Sequence, residues 1–237
     1  MSRDWPSMSQ QELQSILEHP PSFVEAEFAL CELGDRIRLR EVEEIPRELH
    51  DVVLEHLNAP DAVVQLEAAI LLSELNEAQA IPTLVNATKS KGQRLEALRA
   101  LGKIDDPRAR DALEQWSKPF FVHWADKLQA AAGLAQHQDA EAIDYLIKRT
   151  QSRRSLERCS ALEFLGETRH EAALKILMPH LSDPTRPEWL SAARGLAMHR
   201  SSEAQKVLKS ALKSVDAELR ESVMSWLSER HLTLSMD

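Results

Sequence analysis

The chain has 237 residues, of which 43% are hydrophobic, 28% are charged and 5% are aromatic, a balance typical of a folded helical protein rather than a sheet-rich one. The net charge of −9 is uneven, because residues 1–80 contain 5 basic and 17 acidic side chains (−12) and residues 81–237 contain the remaining 24 and 21 (+3). An acidic chain disfavours a nucleic-acid partner, no apolar run approaches the roughly 20 residues of a membrane span, and the two cysteines cannot form a zinc site on their own. We therefore expect a cytoplasmic protein without membrane insertion, metal or cofactor.

The N-terminal part of the chain, before residue 61, predicts two irregular helical elements. Ser9 and Glu12 have the spacing of a capping box and open an apolar helix that the prolines at 20 and 21 stop, which predicts a capping helix within residues 1–21. Residues 23–35 have helical spacing, and residues 46–57 predict a second helix after an irregular, charge-dense stretch at 36–45. We interpret residues 22–60 as a degenerate first repeat.

From residue 61 onward, one leucine-centred template repeats at a nearly constant interval, and its last three steps are equal in length. Each unit has an alanine, or in the last unit a valine, four positions before the leucine, and the first five units also have an alanine eight positions after it and a second leucine twelve positions after it. The central leucines are Leu72, Leu101, Leu134, Leu165, Leu196 and Leu227. A period of this length is typical of stacked helix pairs, in which each pair buries its apolar face against its neighbours. The pattern predicts six units over residues 61–230, the last incomplete, and a tail at 231–237, all within one domain spanning residues 1–237.

These motifs resemble the HEAT-repeat superfamily, in particular the short HEAT-like repeats of phycobilin lyases and bacterial scaffold proteins. The resemblance rests on a basic residue seven positions before the central leucine, as in Arg94, Lys127 and Arg158, followed by the alanine and leucine positions. Gln65 and Trp189 depart from it by replacing the basic residue. The resemblance implies an all-α, right-handed α-solenoid. It carries little information about function, because every matched position is a packing position.

In solenoids of this kind the second helix of each pair usually lines the concave face, so its outward positions are candidate contacts for a protein partner. These positions are Asp111, Gln115, Asp144, Tyr145, Lys148, Lys175 and Lys206. An alternative is that opposite charges on adjoining units simply pair with each other.

Two further clusters are candidates for binding. Trp116, Phe120, Phe121 and Trp124 crowd the junction with the longest step between central leucines, which indicates either a hot spot for a partner or a bulky plug that fills the wider gap. Arg149, Arg153, Arg154 and Arg158 form the densest basic cluster, which would hold an acidic segment or phosphate groups, or is a solvated turn.

We expect a non-catalytic scaffold that binds another protein, with self-association as a further possibility because the two ends differ in charge. The alternative is a HEAT-like enzyme. A phycobilin lyase is permitted by the repeat type, and an alkylpurine DNA glycosylase by Trp116, Asp111, Trp124 and Asp144, although the flanking residues are not strongly basic. HEAT-repeat deoxyhypusine hydroxylases carry repeated His-Glu pairs, whereas this chain has one, at 170–171.

Overall fold

A computed structural model describes residues 4–39, 41–42, 44–118, 120–230, 232 and 234. Every regular element in these residues is helical, with fourteen α-helices and three short 3-10 helices at Trp5–Ser7, Ala78–Ala80 and Met178–Ser182. The α-helices are α1 Gln10–Glu18, α2 Phe23–Arg38, α3 Arg47–His56, α4 Ala62–Glu74, α5 Ile81–Ala87, α6 Arg94–Leu101, α7 Pro107–Ser117, α8 Trp124–Gln136, α9 Ala140–Arg149, α10 Ser155–Glu167, α11 Glu171–Leu177, α12 Pro187–His199, α13 Ser202–Lys213 and α14 Ala217–Ser228. The all-α prediction is confirmed.

The chain forms two compact units, Met1–Leu113 and Glu114–Asp237. In the first unit α1 packs on α2 and α3, and the first helices α2, α4 and α6 pack on one another in succession. In the second unit α8, α10 and α12 do the same, with α9 against α8 and α10, and α13 against α12. A single continuous domain and a right-handed superhelix remain predictions. The predicted tail lies outside the described residues except at 232 and 234.

The leucine template accounts for the core of both units. All six central leucines are buried, and so are the small residues four positions before them and the alanines and leucines in the second helices. The helix starts also follow the sequence: Ser9 and Glu12 form the capping box of α1, and the side chain of Ser201 accepts a hydrogen bond from Ala204 N at the start of α13.

The stretch predicted to be irregular at 36–45 begins later than expected, because α2 continues to Arg38. Arg36 extends the helix by pairing with Glu32 one turn earlier (Nε to Oε1, 2.7 Å) and by donating to the carbonyl oxygen of Met8 at 2.7 Å. The guanidinium therefore ties the last turns of α2 to the segment before α1. Residues 40 and 43 of the stretch lie outside the described residues.

In three repeats the basic residue seven positions before the central leucine ties the first helix to the chain that precedes it, whereas Lys127 at the same position lies over the ring of Tyr145. Arg94 Nε donates to Thr88 O at 2.7 Å, and Arg158 Nη1 donates to Ser152 O at 2.7 Å. Arg220 Nε donates to Leu212 O at 2.8 Å in the last unit. A carbonyl at the end of the preceding helix or in the turn after it, which has no partner within the helix, is thereby satisfied.

The two residues that replace the basic residue at this position also donate a hydrogen bond to a preceding carbonyl oxygen. Gln65 Nε2 donates to Ala59 O at 2.6 Å, and the indole Nε1 of the buried Trp189 donates to Leu181 O at 3.2 Å. Amide, guanidinium and indole N–H groups can thus each serve at this position as the donor to a preceding carbonyl.

In four of the repeats, a residue with a left-handed backbone conformation closes the turn between the two helices. Asn76, Gln138, Arg169 and Arg200 each stand four positions after the central leucine and have φ between 53° and 60°. Two of them also reach the next turn, because Asn76 Oδ1 accepts from Asp105 N at 2.7 Å and Gln138 Nε2 donates to Thr168 O at 3.0 Å. The first bond links the turns of two successive repeats in the first compact unit, and the second bond does the same in the second compact unit.

Two glycines bring α10 and α12 into backbone contact. A methyl group on Gly166 would overlap the backbone carbonyl of Gly195, and one on Gly195 would lie 2.8 Å from Leu162 O. Both glycines are buried inside helices, so they serve here to allow close approach and not to supply an unusual φ.

Candidate protein-binding surfaces

The outward positions of the second helices form an exposed row in the second unit. Asp144 and Lys148 on α9, Lys175 on α11 and Lys206 on α13 are exposed, while leucines of the same helices are buried. None of these four side chains makes an ion pair within the described residues, so pairing between adjoining units does not account for them. Gln115 is exposed near the end of α7, and Asp111 is exposed in the first unit. We call Gln115, Asp144, Tyr145, Lys148, Lys175 and Lys206 the second-helix strip.

Tyr145 is held by cations of its own unit. Arg149 lies 4.7 Å and Lys127 lies 5.5 Å from the centre of its ring, both within cation–π range. The ring is partly buried, and this burial raises the pKa of the phenol. These two contacts stabilise the position of the Tyr145 ring within the strip.

The four arginines of the basic cluster divide into two pairs. Arg149 contacts the buried Glu157 at 3.5 Å, and Arg158 pairs with the buried Glu188. Glu157 is held further by the hydroxyl of Ser152, which donates to it at 2.5 Å. These contacts make Arg149 and Arg158 structural residues.

The other pair, Arg153 and Arg154, is exposed in the turn between α9 and α10 and makes no ion pair in the part of the chain that the structure describes. These two side chains are the ones of the cluster that remain available to an anionic partner.

The four large aromatic side chains between residues 116 and 124 differ in exposure. Phe120 and Phe121 are 93% and 94% exposed and lie edge to face, with ring centres 6.3 Å apart. A plug made by these two phenylalanines is therefore wrong: they fill no gap between helices. Trp116 and Trp124 are partly buried, and the ring of His123, whose Nδ1 accepts from Ala125 N at the start of α8, lies 5.6 Å from that of Trp124.

The first helices of the second unit pack in succession. The helices α8, α10 and α12 each have 13 residues, and α10 packs on both of the others. At their far ends, Gln136 Nε2 donates to Glu167 Oε2 at 3.5 Å, and His199 Nε2 lies 3.3 Å from the carbonyl oxygen of His170. At their starts, Arg158 pairs with Glu188.

The starts of α10 and α12 therefore lie side by side, because Arg158 and Glu188 stand in the first turns of these helices. We call the turns that precede α8, α10 and α12, residues 120–123, 150–154 and 178–186, together with the first residues of these three helices, the N-terminal edge. A cavity of about 280 Å3 lies in the third turn and is lined by Pro179, His180, Ser182, Asp183 and Arg186.

The unpaired positive charge of this edge lies in its second turn. Arg153 and Arg154 make no ion pair in the described residues, whereas Arg158 and Arg186 each pair with a carboxylate. Exposed, unpaired cations attract anions although residues 114–237 contain 17 basic and 17 acidic side chains.

The first unit contains a separate cavity of about 210 Å3 beside Cys31 on α2. The Cys31 thiol donates to Glu67 Oε2 at 3.2 Å. Burial, reinforced by the negative charge of Glu67, raises the pKa of Cys31. Burial also raises the pKa of Glu67 itself.

Replacing Glu67 with glutamine should speed the alkylation of Cys31 at pH 8. Removal of the negative charge lowers the pKa of the thiol, so that more thiolate is present at a given pH, and we expect an acceleration of up to about tenfold. Iodoacetamide labelling followed residue by residue by mass spectrometry measures this rate, with Cys159 in the same molecule as the internal control. An unchanged Cys31 rate would mean that burial alone controls the thiol.

Within the described residues, no three His, Cys, Asp or Glu side chains are grouped as metal ligands would be. None of the described helices is both long enough and apolar enough to cross a membrane.

The geometry of stacked helix pairs agrees with a comparison to known families, in which the family of HEAT repeats matches residues 51–119. The chain is a HEAT-like repeat protein. Among solved structures, the complex of CpcE and CpcF of phycocyanin lyase from Nostoc sp. PCC7120 shares this fold, with a TM-score of 0.50 and 18% identity over 94% of this chain and 97% of that one. At this identity the similarity shows the α-solenoid class alone.

Two other solved structures resemble the HEAT-like protein more loosely. Human deoxyhypusine hydroxylase has a TM-score of 0.37 and 19% identity, over 93% of this chain and 96% of that one. An engineered protein has a TM-score of 0.41 and 19% identity, over 94% of this chain and 68% of that one. A comparison with curated protein sequences found no match.

Proposed function

We propose that this HEAT-like protein is a non-catalytic, cytoplasmic platform that binds another protein on the second-helix strip. The observation that carries the proposal is the row of exposed charged side chains on α9, α11 and α13 that make no ion pair in the described residues. A regular row of exposed charges offers a partner repeated contacts. Binding of the partner would break no ion pair of these side chains.

The charges of the strip indicate the chemistry of the partner. Beyond Asp144 the row consists of three lysines, one on each of the three second helices. A partner with an acidic, extended face would meet Lys148, Lys175 and Lys206 in turn, while the ring of Tyr145 would supply an apolar contact. The acidic residues 1–80 of a second copy are one source of such a face, so self-association is one form of the proposal.

Reversing Lys175 and Lys206 to glutamate should weaken binding of the partner by about tenfold or more, because both contacts become repulsive. The partner is first captured with the wild-type protein from the native lysate, with nuclease treatment, and its affinity for each variant is then measured in purified form. The matched control reverses Lys89 and Lys91, two exposed lysines after α5 in the first unit, and should bind like the wild type.

Equal loss in both double variants would assign the effect to net charge and would overturn the strip as the binding surface. Recovery of a bilin pigment or of nucleic acid in place of a protein would overturn the scaffold function and favour the enzyme alternatives.

A further inference from the structure

The N-terminal edge of the second unit combines exposed apolar side chains in or beside each of its three turns with cations in two of them. Phe120 and Phe121 stand in the first turn, and Leu156, which is 72% exposed, follows the second. Met178 is also exposed and opens the third turn. Apolar side chains that are exposed singly are ordinary, but here they recur beside the turns that precede three successive first helices.

Cations accompany the apolar side chains along the same edge. Arg153 and Arg154 lie directly before Leu156, and Arg186 stands exposed at the end of the third turn. Arg153 and Arg154 make no ion pair within the described residues, and Arg186 contacts only the partly exposed Asp183, at 3.3 Å. The edge therefore needs a partner that is anionic where it meets the arginines and apolar where it meets the phenylalanines.

The exposure of the two phenylalanines favours a partner that their rings can enter. Phe120 and Phe121 protrude almost completely and line neither the cavity in the third turn nor the cavity beside Cys31. A linear peptide is usually held in a groove, whereas a row of protruding side chains matches a surface that they can enter.

From this combination we propose that the N-terminal edge docks on an anionic lipid membrane, with Phe120 and Phe121 entering the interface and Arg153 and Arg154 binding lipid headgroups. Aromatic side chains settle at the boundary between headgroups and acyl chains, and each cation near an anionic leaflet strengthens binding about fivefold. The surface is different from the second-helix strip, so the protein would hold its partner and the membrane at the same time.

The test measures binding of the full chain to vesicles made of one part phosphatidylserine to two parts phosphatidylcholine, by co-sedimentation. Arg153→Glu with Arg154→Glu should reduce binding at least about 25-fold, since two attractive charges are lost and replaced by repulsive ones. Phe120→Ala with Phe121→Ala should reduce it about tenfold. Binding to pure phosphatidylcholine should be weak, and added salt should weaken binding to the anionic vesicles.

Two control variants separate this proposal from a general effect of charge or apolar surface. Lys175→Glu with Lys206→Glu makes the same change of charge on the second-helix strip and should leave vesicle binding unchanged. Phe23→Ala removes a half-exposed phenylalanine in the first unit and should also leave it unchanged.

The proposal is overturned if wild-type protein does not sediment with the anionic vesicles, or if the phenylalanine variant binds like the wild type. It is also overturned if soluble poly-glutamate or single-stranded RNA binds the edge as tightly as the vesicles do, since the site would then be a polyanion site. A failure of the strip variants to bind the protein partner leaves these outcomes unaffected.

Discussion

Replacing Gly166 with alanine should destabilise the second unit by about 3 kcal/mol or more. The added methyl group would overlap the backbone carbonyl of Gly195 on the facing helix, and a backbone atom cannot rotate away as a side chain would. The helices α10 and α12 would have to separate along the crossing that joins two repeats. Denaturant unfolding followed by circular dichroism at 222 nm measures the free energy of unfolding.

Gly92→Ala is the matched control. Gly92 lies in an exposed turn, and a methyl group on it would meet no atom within 4 Å. This variant should lie within about 0.5 kcal/mol of the wild type or be slightly more stable. Equal stability of the two alanine variants would show that the α10–α12 crossing relaxes without cost.

Trp189→Ala should cost about 3 to 5 kcal/mol of stability, because the indole is almost completely buried in the core of the second unit. Trp189→Phe separates the two roles of the side chain. It retains an aromatic ring but removes the N–H that donates to Leu181 O, so we expect a loss of about 1 to 3 kcal/mol from the unpaired carbonyl and the smaller ring. Thermal and denaturant unfolding of both variants measure the difference.

Trp226→Phe provides the comparison for an exchange at a partly exposed tryptophan. The ring of Trp226 lies 5.3 Å from Arg194 and 4.4 Å from Arg230, and it is only partly buried. Its replacement should cost less than about 1 kcal/mol. If Trp189→Phe proves equally mild, the bond to Leu181 O does not contribute to the fold.

The core could be predicted from the sequence because each unit repeats the same packing positions. The positions of Leu165 and Ala161, for example, are filled by buried apolar residues in all the other repeats. Periodic apolar positions of this kind identify the buried face of a helix. The left-handed turns could not be predicted in this way. Asn76, Gln138, Arg169 and Arg200 differ in side chain, and without glycine the sequence carries little sign of a positive φ.

The candidate surfaces were predicted only in outline. The sequence placed Arg149 and Arg153 in one cluster, but Arg149 is bound by Glu157 in the following helix and Arg153 is not, a difference that depends on tertiary contacts. Likewise, an aromatic pair in a connecting segment is compatible with both a core and a surface position. The exposure of Phe120 and Phe121 follows from how the turn before α8 is directed, which no local pattern specifies.

The hydrogen bond made seven positions before five of the six central leucines constrains a chemical group and leaves the identity of the residue open. Arginine, glutamine and tryptophan exchange there while the carbonyl keeps its partner. A sequence comparison counts each of these exchanges as a mismatch, although the backbone carbonyl keeps its hydrogen bond. A chain built in this way diverges in sequence faster than in architecture.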